Sequence, residues 1–255
     1  RSLISIGYRN QYDIAQNRTG DIFTFDADME FDFGLPWYRP TRINFSASGA
    51  DHGWRHGSGK WPAYYPDSIP AVIDIGPASP TGVVFGHKAR FPTKYREAFL
   101  FLDWTYGTIW SAHLSPKGAG YSATIEQFAA ADALPVTDTA IGTDGAMYFV
   151  IGGRRIQSAL YRIAYVGDEP TDSPAPEVVL SELHKLRRSL EAFHGVKHGE
   201  AVNMAWPYLD HEDRWIRHAA RIAVESQPVD AWRSRALSPA KDRMRIHAAV
   251  ALARQ

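Results

Sequence analysis

The sequence contains no cysteine, and this absence excludes several kinds of chemistry. Disulfide bonds, thiolate nucleophiles, zinc–cysteine clusters and haem attached through a Cys-x-x-Cys-His motif all require a residue that the chain lacks. A covalently attached haem of this kind therefore cannot lie within the 255 residues of the chain.

Net charge, long apolar runs and nucleotide-binding loops are absent as well. The 28 basic residues balance the 28 acidic residues, so no overall field favours nucleic acid or anionic lipid as a partner. No stretch is long and apolar enough to span a bilayer, and there is no glycine-rich phosphate loop, nucleophile elbow or zinc-protease helix. The chain also lacks an initiator methionine and a signal peptide, and we expect it to be part of a longer protein.

Glycine, proline and aromatic residues are frequent in the first two-thirds of the chain, which predicts that residues 1–166 form short strands joined by turns. A hairpin pattern with identically spaced Asp, Ala and Gly occurs at residues 13–24 and again at residues 138–149, and a weaker copy begins at Gly82. Repeated hairpins of this kind are typical of a β-propeller, of which this half would hold about three blades. An irregular β-sandwich is the alternative.

The sequence pattern changes after residue 166. Three prolines predict an extended linker over residues 167–177. Residues 178–255 then show helical spacing of apolar side chains, at Val179, Leu183, Leu186 and Leu190. Two segments that begin at Asp213 and Asp242 share Asp, Arg, His, Ala and Ala at one offset, and both aspartates are good helix N-caps. Such repeats predict a HEAT-like α-solenoid, and a two-helix repeat inside another helical domain is the alternative.

Four acidic residues alternate with apolar ones in a single run, which is the period of a half-buried strand. On a strand these four carboxylates share one face and repel each other: Asp26, Asp28, Glu30 and Asp32. We expect compensation either by Arg39 and Arg42, which follow in the sequence, or by Ca²⁺, which prefers oxygen ligands. An acidic edge that faces solvent and discourages aggregation is the alternative.

Several longer strings resemble one family of large bacterial proteins. The strings are Tyr8-Arg9-Asn10-Gln11, Phe25-Asp26-Ala27-Asp28-Met29-Glu30, Gly34-Leu35-Pro36-Trp37-Tyr38-Arg39-Pro40-Thr41-Arg42 and Gly49-Ala50-Asp51-His52-Gly53-Trp54-Arg55. They resemble bacterial sorbosone/soluble glucose dehydrogenase-like proteins. The resemblance implies a six-bladed β-propeller, HEAT repeats after it and, often, a c-type cytochrome domain at the end. It also implies a redox setting and a periplasmic or otherwise exported location.

In the soluble quinoprotein dehydrogenases of this type, pyrroloquinoline quinone and Ca²⁺ lie on the central face of the propeller. An Arg-Asn pair, a Lys and an Arg-x-Arg element contact the quinone. Arg9 and Asn10 match the Arg-Asn pair, whereas Thr105 stands at the Lys position and residues 135–137, Pro-Val-Thr, stand at the Arg-x-Arg position. Each lost charge-assisted hydrogen bond is worth about 1.5–3 kcal/mol, which argues against conventional quinone binding.

Two functional hypotheses follow. In the first, this is part of a redox protein that oxidises an alcohol or aldehyde group of a sugar and passes electrons to a haem domain outside the chain. The acidic run would bind Ca²⁺, and four residues would bind the cofactor or substrate: Arg9, Asn10, Arg39 and Arg42. His52 is the candidate acid–base residue, with packing in a glycine-rich turn as the alternative. In the second hypothesis, a non-catalytic scaffold binds carbohydrate or protein through exposed aromatic residues, namely Trp37, Tyr38, Trp54, Trp61, Tyr64 and Tyr65.

Overall fold

The computed structural model of the protein describes residues 3–27, 38–57, 59–175, 177, 179–238 and 241–255. Its first part consists of strands and its last part of helices, as the change of sequence period predicts. The strands are β1 (Ser5–Ile6), β2 (Ile14–Gln16), β3 (Ile22–Asp26), β4 (Thr41–Phe45), β5 (Ala50–Asp51), β6 (Trp54–Arg55), β7 (Gly59–Lys60), β8 (Ile73–Gly76), β9 (Pro80–Phe85), β10 (Phe99–Asp103), β11 (Thr108–Lys117), β12 (Gly120–Ala130), β13 (Val136–Ile141), β14 (Met147–Gly153) and β15 (Ile156–Ile163).

Most of the helical structure follows the linker. The α-helices are α1 (Thr93–Arg96), α2 (Glu182–Glu191), α3 (Ala201–Ala205), α4 (Arg214–Glu225), α5 (Arg233–Leu237) and α6 (Asp242–Ala253), and short 3-10 turns cover Gly86–Lys88, Trp206–Asp210 and Val229–Ala231. Within the described part of the chain, none of these helices has the length and apolar character needed to cross a membrane.

Three antiparallel sheets form successive blades. Blade A has the strand order β2-β3-β4-β8, blade B the order β9-β10-β11-β12, and blade C the order β13-β14-β15. The first strands of the blades, β2, β9 and β13, lie side by side at the centre. The two hairpin repeats of the sequence are the β2–β3 and β13–β14 pairs, and the turn glycines Gly20 and Gly145 have φ values of +86° and +78°. This radial arrangement is that of a propeller.

Packing between blades explains why β10 has no polar face. Phe99 and Phe101 point toward blade A, where the ring of Phe101 lies 4.8 Å from that of Phe25. Leu100 and Leu102, on the opposite face, belong to a second core with side chains of blade C such as Phe149. A strand that is buried on both faces is continuously apolar rather than alternating.

The helices pack directly on blades A and B, and one core cluster contains side chains from both parts. The indole of Trp215 on α4 lies 5.1 Å from the ring of Phe45 on β4. Gly120 makes room for this indole, because a Cβ atom at that position would lie only 2.1 Å from the Trp215 Nε1 atom. The helical part therefore packs on the propeller in one defined position.

Two details of the helical prediction need correction. Asp213 is the N-cap of α4 and accepts hydrogen bonds from the N–H groups of Trp215 and Ile216, as predicted. Asp242, in contrast, is not an N-cap: α6 begins at this residue, so its carboxylate lies in the first turn, where the helix dipole favours it. Val179 precedes α2 and is 77% exposed, so it does not belong to the buried stripe of that helix.

The proline-rich segment after the propeller is held by a buried arginine. Arg96, at the end of α1, donates hydrogen bonds to the carbonyl oxygens of Thr171 and Ser173 at 3.0 and 2.7 Å. Proline has no backbone N–H to donate, so a proline-rich segment does not form regular secondary structure, and a side chain from the propeller satisfies the carbonyl oxygens of Thr171 and Ser173 instead.

Candidate functional site

The candidate site lies at one end of the propeller. We call this end, at which β2, β9 and β13 begin, the axial face. Because β3, β10 and β14 run antiparallel to these strands, they all end at this face, and the turns that follow them lie there as well.

Buried aspartates end the second strand of blades A and B. Asp26 Oδ1 accepts hydrogen bonds from the backbone N–H groups of Arg9 and Asn10, each at 3.0 Å. Asp103 Oδ1 accepts from the N–H groups of Ser79 and Thr105 at 2.9 and 3.0 Å. Each carboxylate therefore links the end of the second strand of its blade to the segment that precedes the first strand. Arg9 and Asn10 therefore lie at this face, and their binding of a cofactor stays a prediction.

The positive group beside Asp26 is Arg42, which is its direct neighbour in the β3–β4 register. The Arg42 Nη2 and Nε atoms lie 3.1 and 3.2 Å from Asp26 Oδ2, and both side chains are buried. The prediction that a cation lies close to the acidic run therefore holds for its first member. The other three predicted calcium ligands, Asp28, Glu30 and Asp32, lie outside the described residues. Among the described residues, no group of three His, Asp or Glu side chains is arranged to hold a metal ion.

The two aspartates allow a matched test of this arrangement. We expect Asp26→Asn to lower the free energy of unfolding by about 2–3 kcal/mol, because an amide nitrogen would replace Oδ2 and face the buried Arg42 guanidinium. Asp103→Asn should cost less than about 1 kcal/mol, because the hydrogen bonds that described residues donate to this carboxylate all go to Oδ1, which an amide oxygen can replace. Urea unfolding of both variants measures the difference, and equal costs would refute the assigned role of Arg42.

A groove beside blade A contains the other two predicted cofactor-binding residues. Arg39 and Arg42 line this cavity of about 440 Å³ together with Lys60 and Trp61. Arg39 is exposed, whereas Lys60 is buried and donates a hydrogen bond to the Pro40 carbonyl oxygen at 2.9 Å. Arg42 reaches the groove on one side and Asp26 on the other, so it connects the groove to the segment of Arg9 and Asn10.

His52 lies in the interior rather than at an open surface. Only 1% of the residue is exposed, and its ring packs 4.6 Å from the ring of Tyr8. Burial, helped by the positive charge of Arg42, holds the pKa of His52 well below its usual range. A neutral, enclosed imidazole is suited to packing in the loop, which is the alternative that the sequence left open.

A second cavity of about 510 Å³ opens at the axial face between blades B and C, and we call it the axial pocket. It is lined by Ser79, Thr81, Trp104, Thr137, Gly152, Gly153 and Arg154. The Trp104 indole N–H donates to the Gly152 carbonyl oxygen at 2.9 Å, which fixes the ring, and the Arg154 guanidinium carbon lies 5.1 Å from the ring centre. The hydroxyl groups of Ser79 and Thr105 are 2.6 Å apart.

This pocket contains residues that the sequence reasoning did not single out, namely Ser79, Thr81 and Trp104. One signal was present: Trp104 follows the Asp103 that ends β10, just as the acidic run continues from the Asp26 that ends β3. Thr105 and residues 135–137 lie at the axial face beside this pocket. These are the positions that the resemblance assigns to the Lys and the Arg-x-Arg element.

No family model matches the chain, and no curated protein matches it. Solved structures do resemble it. An oxidoreductase described as a glucose dehydrogenase, from Thermus thermophilus, aligns with a TM-score of 0.52 at 15% identity, over 63% of this chain and 46% of its own. A second glucose dehydrogenase structure aligns with a TM-score of 0.52 at 16% identity, over 64% of this chain and 47% of its own. The PQQ-bound aldose sugar dehydrogenase of Streptomyces coelicolor aligns with a TM-score of 0.47 at 15% identity, over 63% of this chain and 44% of its own.

The chain therefore spans less than half the length of the solved structures that it resembles. At 15–16% identity the likeness shows the fold alone, and that fold is the β-propeller of glucose dehydrogenases. This confirms the propeller prediction over the irregular β-sandwich.

Proposed function

We propose that the chain is the sugar-binding part of a dehydrogenase-like propeller protein and that the axial pocket is its ligand site. The observation that supports this is the composition of the pocket on this fold. A fixed indole offers an apolar platform for a sugar ring, and the hydroxyl groups of Ser79, Thr81 and Thr137 surround it with hydrogen-bonding groups.

For the complete protein we propose an exported, periplasmic redox role. It would oxidise an alcohol or aldehyde group of a sugar and pass the electrons to a c-type cytochrome domain outside this chain. The helices after the propeller would form a HEAT-like scaffold that positions that domain. The propeller fold and the strings quoted above support this proposal, and the buried seat of α4 on blade A gives the helices a fixed orientation.

The described residues of the axial face do not fit conventional binding of pyrroloquinoline quinone. A quinone with several carboxylates needs several cations, and Arg154 is the one cationic residue that lines the axial pocket within the described part of the chain. Thr105 and Thr137, which stand at positions where the resemblance implies cations, carry no charge. We therefore assign no reaction step to a quinone. Calcium binding by Asp28, Glu30 and Asp32 stays a prediction.

The second candidate function is a non-catalytic scaffold that binds carbohydrate or a protein partner. Thr105 and Thr137 favour it, because they stand at positions where the resemblance implies quinone-binding cations. A binding module keeps a platform for the sugar but needs no redox cofactor.

Sugar binding tests the shared part of both candidates. We expect titration calorimetry to detect monosaccharide binding, and we expect Trp104→Leu to weaken it by at least about five-fold, because the ring platform is lost. Tyr64→Leu is the control, since Tyr64 is 80% exposed and away from the pocket. Absence of binding, or equal effects of the two variants, would refute the site.

Dye reduction then separates the two candidates. The protein is supplied with pyrroloquinoline quinone, Ca²⁺ and a set of sugars, and reduction of an electron-accepting dye is followed. Turnover would favour the dehydrogenase. Sugar binding without turnover would favour the scaffold.

A further inference from the structure

The turn between β14 and β15 has an unusual composition for its geometry. Gly153 pairs with Ile156, so the turn contains only Arg154 and Arg155, and their φ values are +48° and +69°. Positive φ at both central residues is the pattern of a type I′ turn, for which Asn-Gly is the favoured sequence. A pair of arginines is strained at both backbone positions, and residues held in this way cluster at functional sites.

The side chain of Arg154, the first residue of this strained turn, lines the axial pocket. Its guanidinium packs on the face of the Trp104 indole, and the indole is itself fixed by its hydrogen bond to the Gly152 carbonyl oxygen. A cation–π contact attracts the guanidinium to the ring without an acceptor atom, so its N–H donors can still bind another group. The stack therefore orders the side chain while leaving it able to bind an acceptor.

The charge of the pocket is not neutralised within the described part of the chain. Its lining contains hydroxyl groups, an indole and glycines, and Arg154 is its charged member. Neither Arg154 nor Arg155 forms an ion pair with another residue that the structure describes, although exposed arginines elsewhere in the chain, such as Arg162 with Asp144, do so.

We propose that the axial pocket takes an acidic sugar, a uronic or aldonic acid, whose carboxylate binds Arg154. The ring or the extended polyol chain lies against Trp104, and its hydroxyl groups reach Ser79, Thr81 and Thr137. Guanidinium and carboxylate match each other in shape and can form two parallel hydrogen bonds, which a neutral sugar cannot. This inference rests on the proposed function, because it names the class of sugar that the same pocket binds.

The test compares glucuronate with glucose by titration calorimetry on the whole protein. We expect glucuronate to bind at least about ten-fold more tightly, since a charge-assisted pair adds to the contacts that both sugars make. Arg154→Gln should remove this preference, so that the ratio of the two dissociation constants falls to about one. Arg154→Lys should restore part of the preference, because it keeps the charge but not the planar donor pair.

Two further variants separate binding from turn geometry. Arg155→Gln changes the other arginine of the same turn, whose side chain does not line the pocket, and should keep the glucuronate preference. The double variant Arg154→Asn, Arg155→Gly has the ideal turn sequence and should raise the melting temperature while losing the preference. If the turn had only a structural role, the double variant would keep the preference for glucuronate.

The outcomes distinguish the inference from the function on which it rests. If glucose and glucuronate bind equally well, or if Arg155→Gln acts like Arg154→Gln, the inference is wrong and the sugar site stands. If neither sugar binds, the proposed function is wrong as well.

Discussion

Replacing Arg187 by methionine is expected to lower the free energy of unfolding by about 3–5 kcal/mol, because it breaks a buried ion network between the helices and the propeller. Arg187 on α2 is 2% exposed and contacts Asp21 Oδ2 at 2.7 Å and Glu191 Oε1 at 2.8 Å. The Tyr121 hydroxyl donates to the same Asp21 oxygen. Without Arg187, two carboxylates of the junction lose a shared cation in a place with little access to water.

Two comparisons check the origin of this loss. Arg188→Gln should cost about 1 kcal/mol or less, because the side chain of Arg188 is one-third exposed and lies farther from Asp21, at 3.2 Å. Combining Arg187→Met with Asp21→Asn and Glu191→Gln should recover much of the stability, because no buried charge is then left unpaired. Urea unfolding followed by far-ultraviolet circular dichroism measures all three proteins. An Arg187→Met loss no larger than that of Arg188→Gln would contradict the network.

Acidification from pH 7 to pH 5 is expected to remove about 4 kcal/mol of stability through two buried histidines. Burial lowers the pKa of both His194 and His247 to about 4. The ring of His194 lies between the Ser48 hydroxyl and the Ala219 carbonyl oxygen, and His247 Nε2 accepts a hydrogen bond from Arg217 Nε at 3.0 Å. A second proton would place a positive charge on His194 in a buried site, and on His247 it would place that charge directly against the Arg217 guanidinium.

The sign follows from proton binding. Each histidine has an unfolded pKa near 6.5, so the unfolded chain binds protons below that pH while the folded protein stays neutral there, and stability falls as the pH falls toward 4. His218, whose pKa burial also lowers well below the usual range, adds to this loss. Burial raises the pKa of Glu191, and this carboxyl opposes the trend because it takes up a proton more readily in the folded state.

Urea unfolding at several pH values between 7 and 4.5 measures the slope. Replacing His194 by glutamine should reduce the loss between pH 7 and pH 5 by about 2 kcal/mol. Replacing the exposed His56 by glutamine is the control and should leave the slope unchanged. A pH-independent stability over this range would show that these rings are not held neutral by the fold.

Local pairing is the part of the fold that the sequence predicts well. The hairpins of blades A and C follow from the alternation of apolar residues and from turn glycines with positive φ, because a strand and its neighbour along the chain pair without any distant contact. The N-cap of α4 at Asp213 is equally local, since its carboxylate binds N–H groups two and three residues away.

The candidate site could be predicted only in part. Arg9 and Asn10 lie at the axial face because Asp26 accepts hydrogen bonds from their backbone N–H groups, a contact that no sequence motif indicates. Ser79 has no distinctive neighbourhood in the sequence, and the place of Trp104 after Asp103 indicates the end of a strand but not a pocket. They form a pocket only when blade C packs against blade B and brings Arg154 over the indole.

Hydrophobic period and turn chemistry act over a few residues, so the mainly β character of the first part, the helical character of the last part and the change near residue 166 can be predicted without any distant contact. The pairing of charges, in contrast, follows from the packed structure. The pair of Asp21 and Arg187 joins residues 166 positions apart, and no local pattern marks either one as the partner of the other. Long-range ion pairs and pockets depend on how blades and helices are packed together, and that packing is a property of the whole chain.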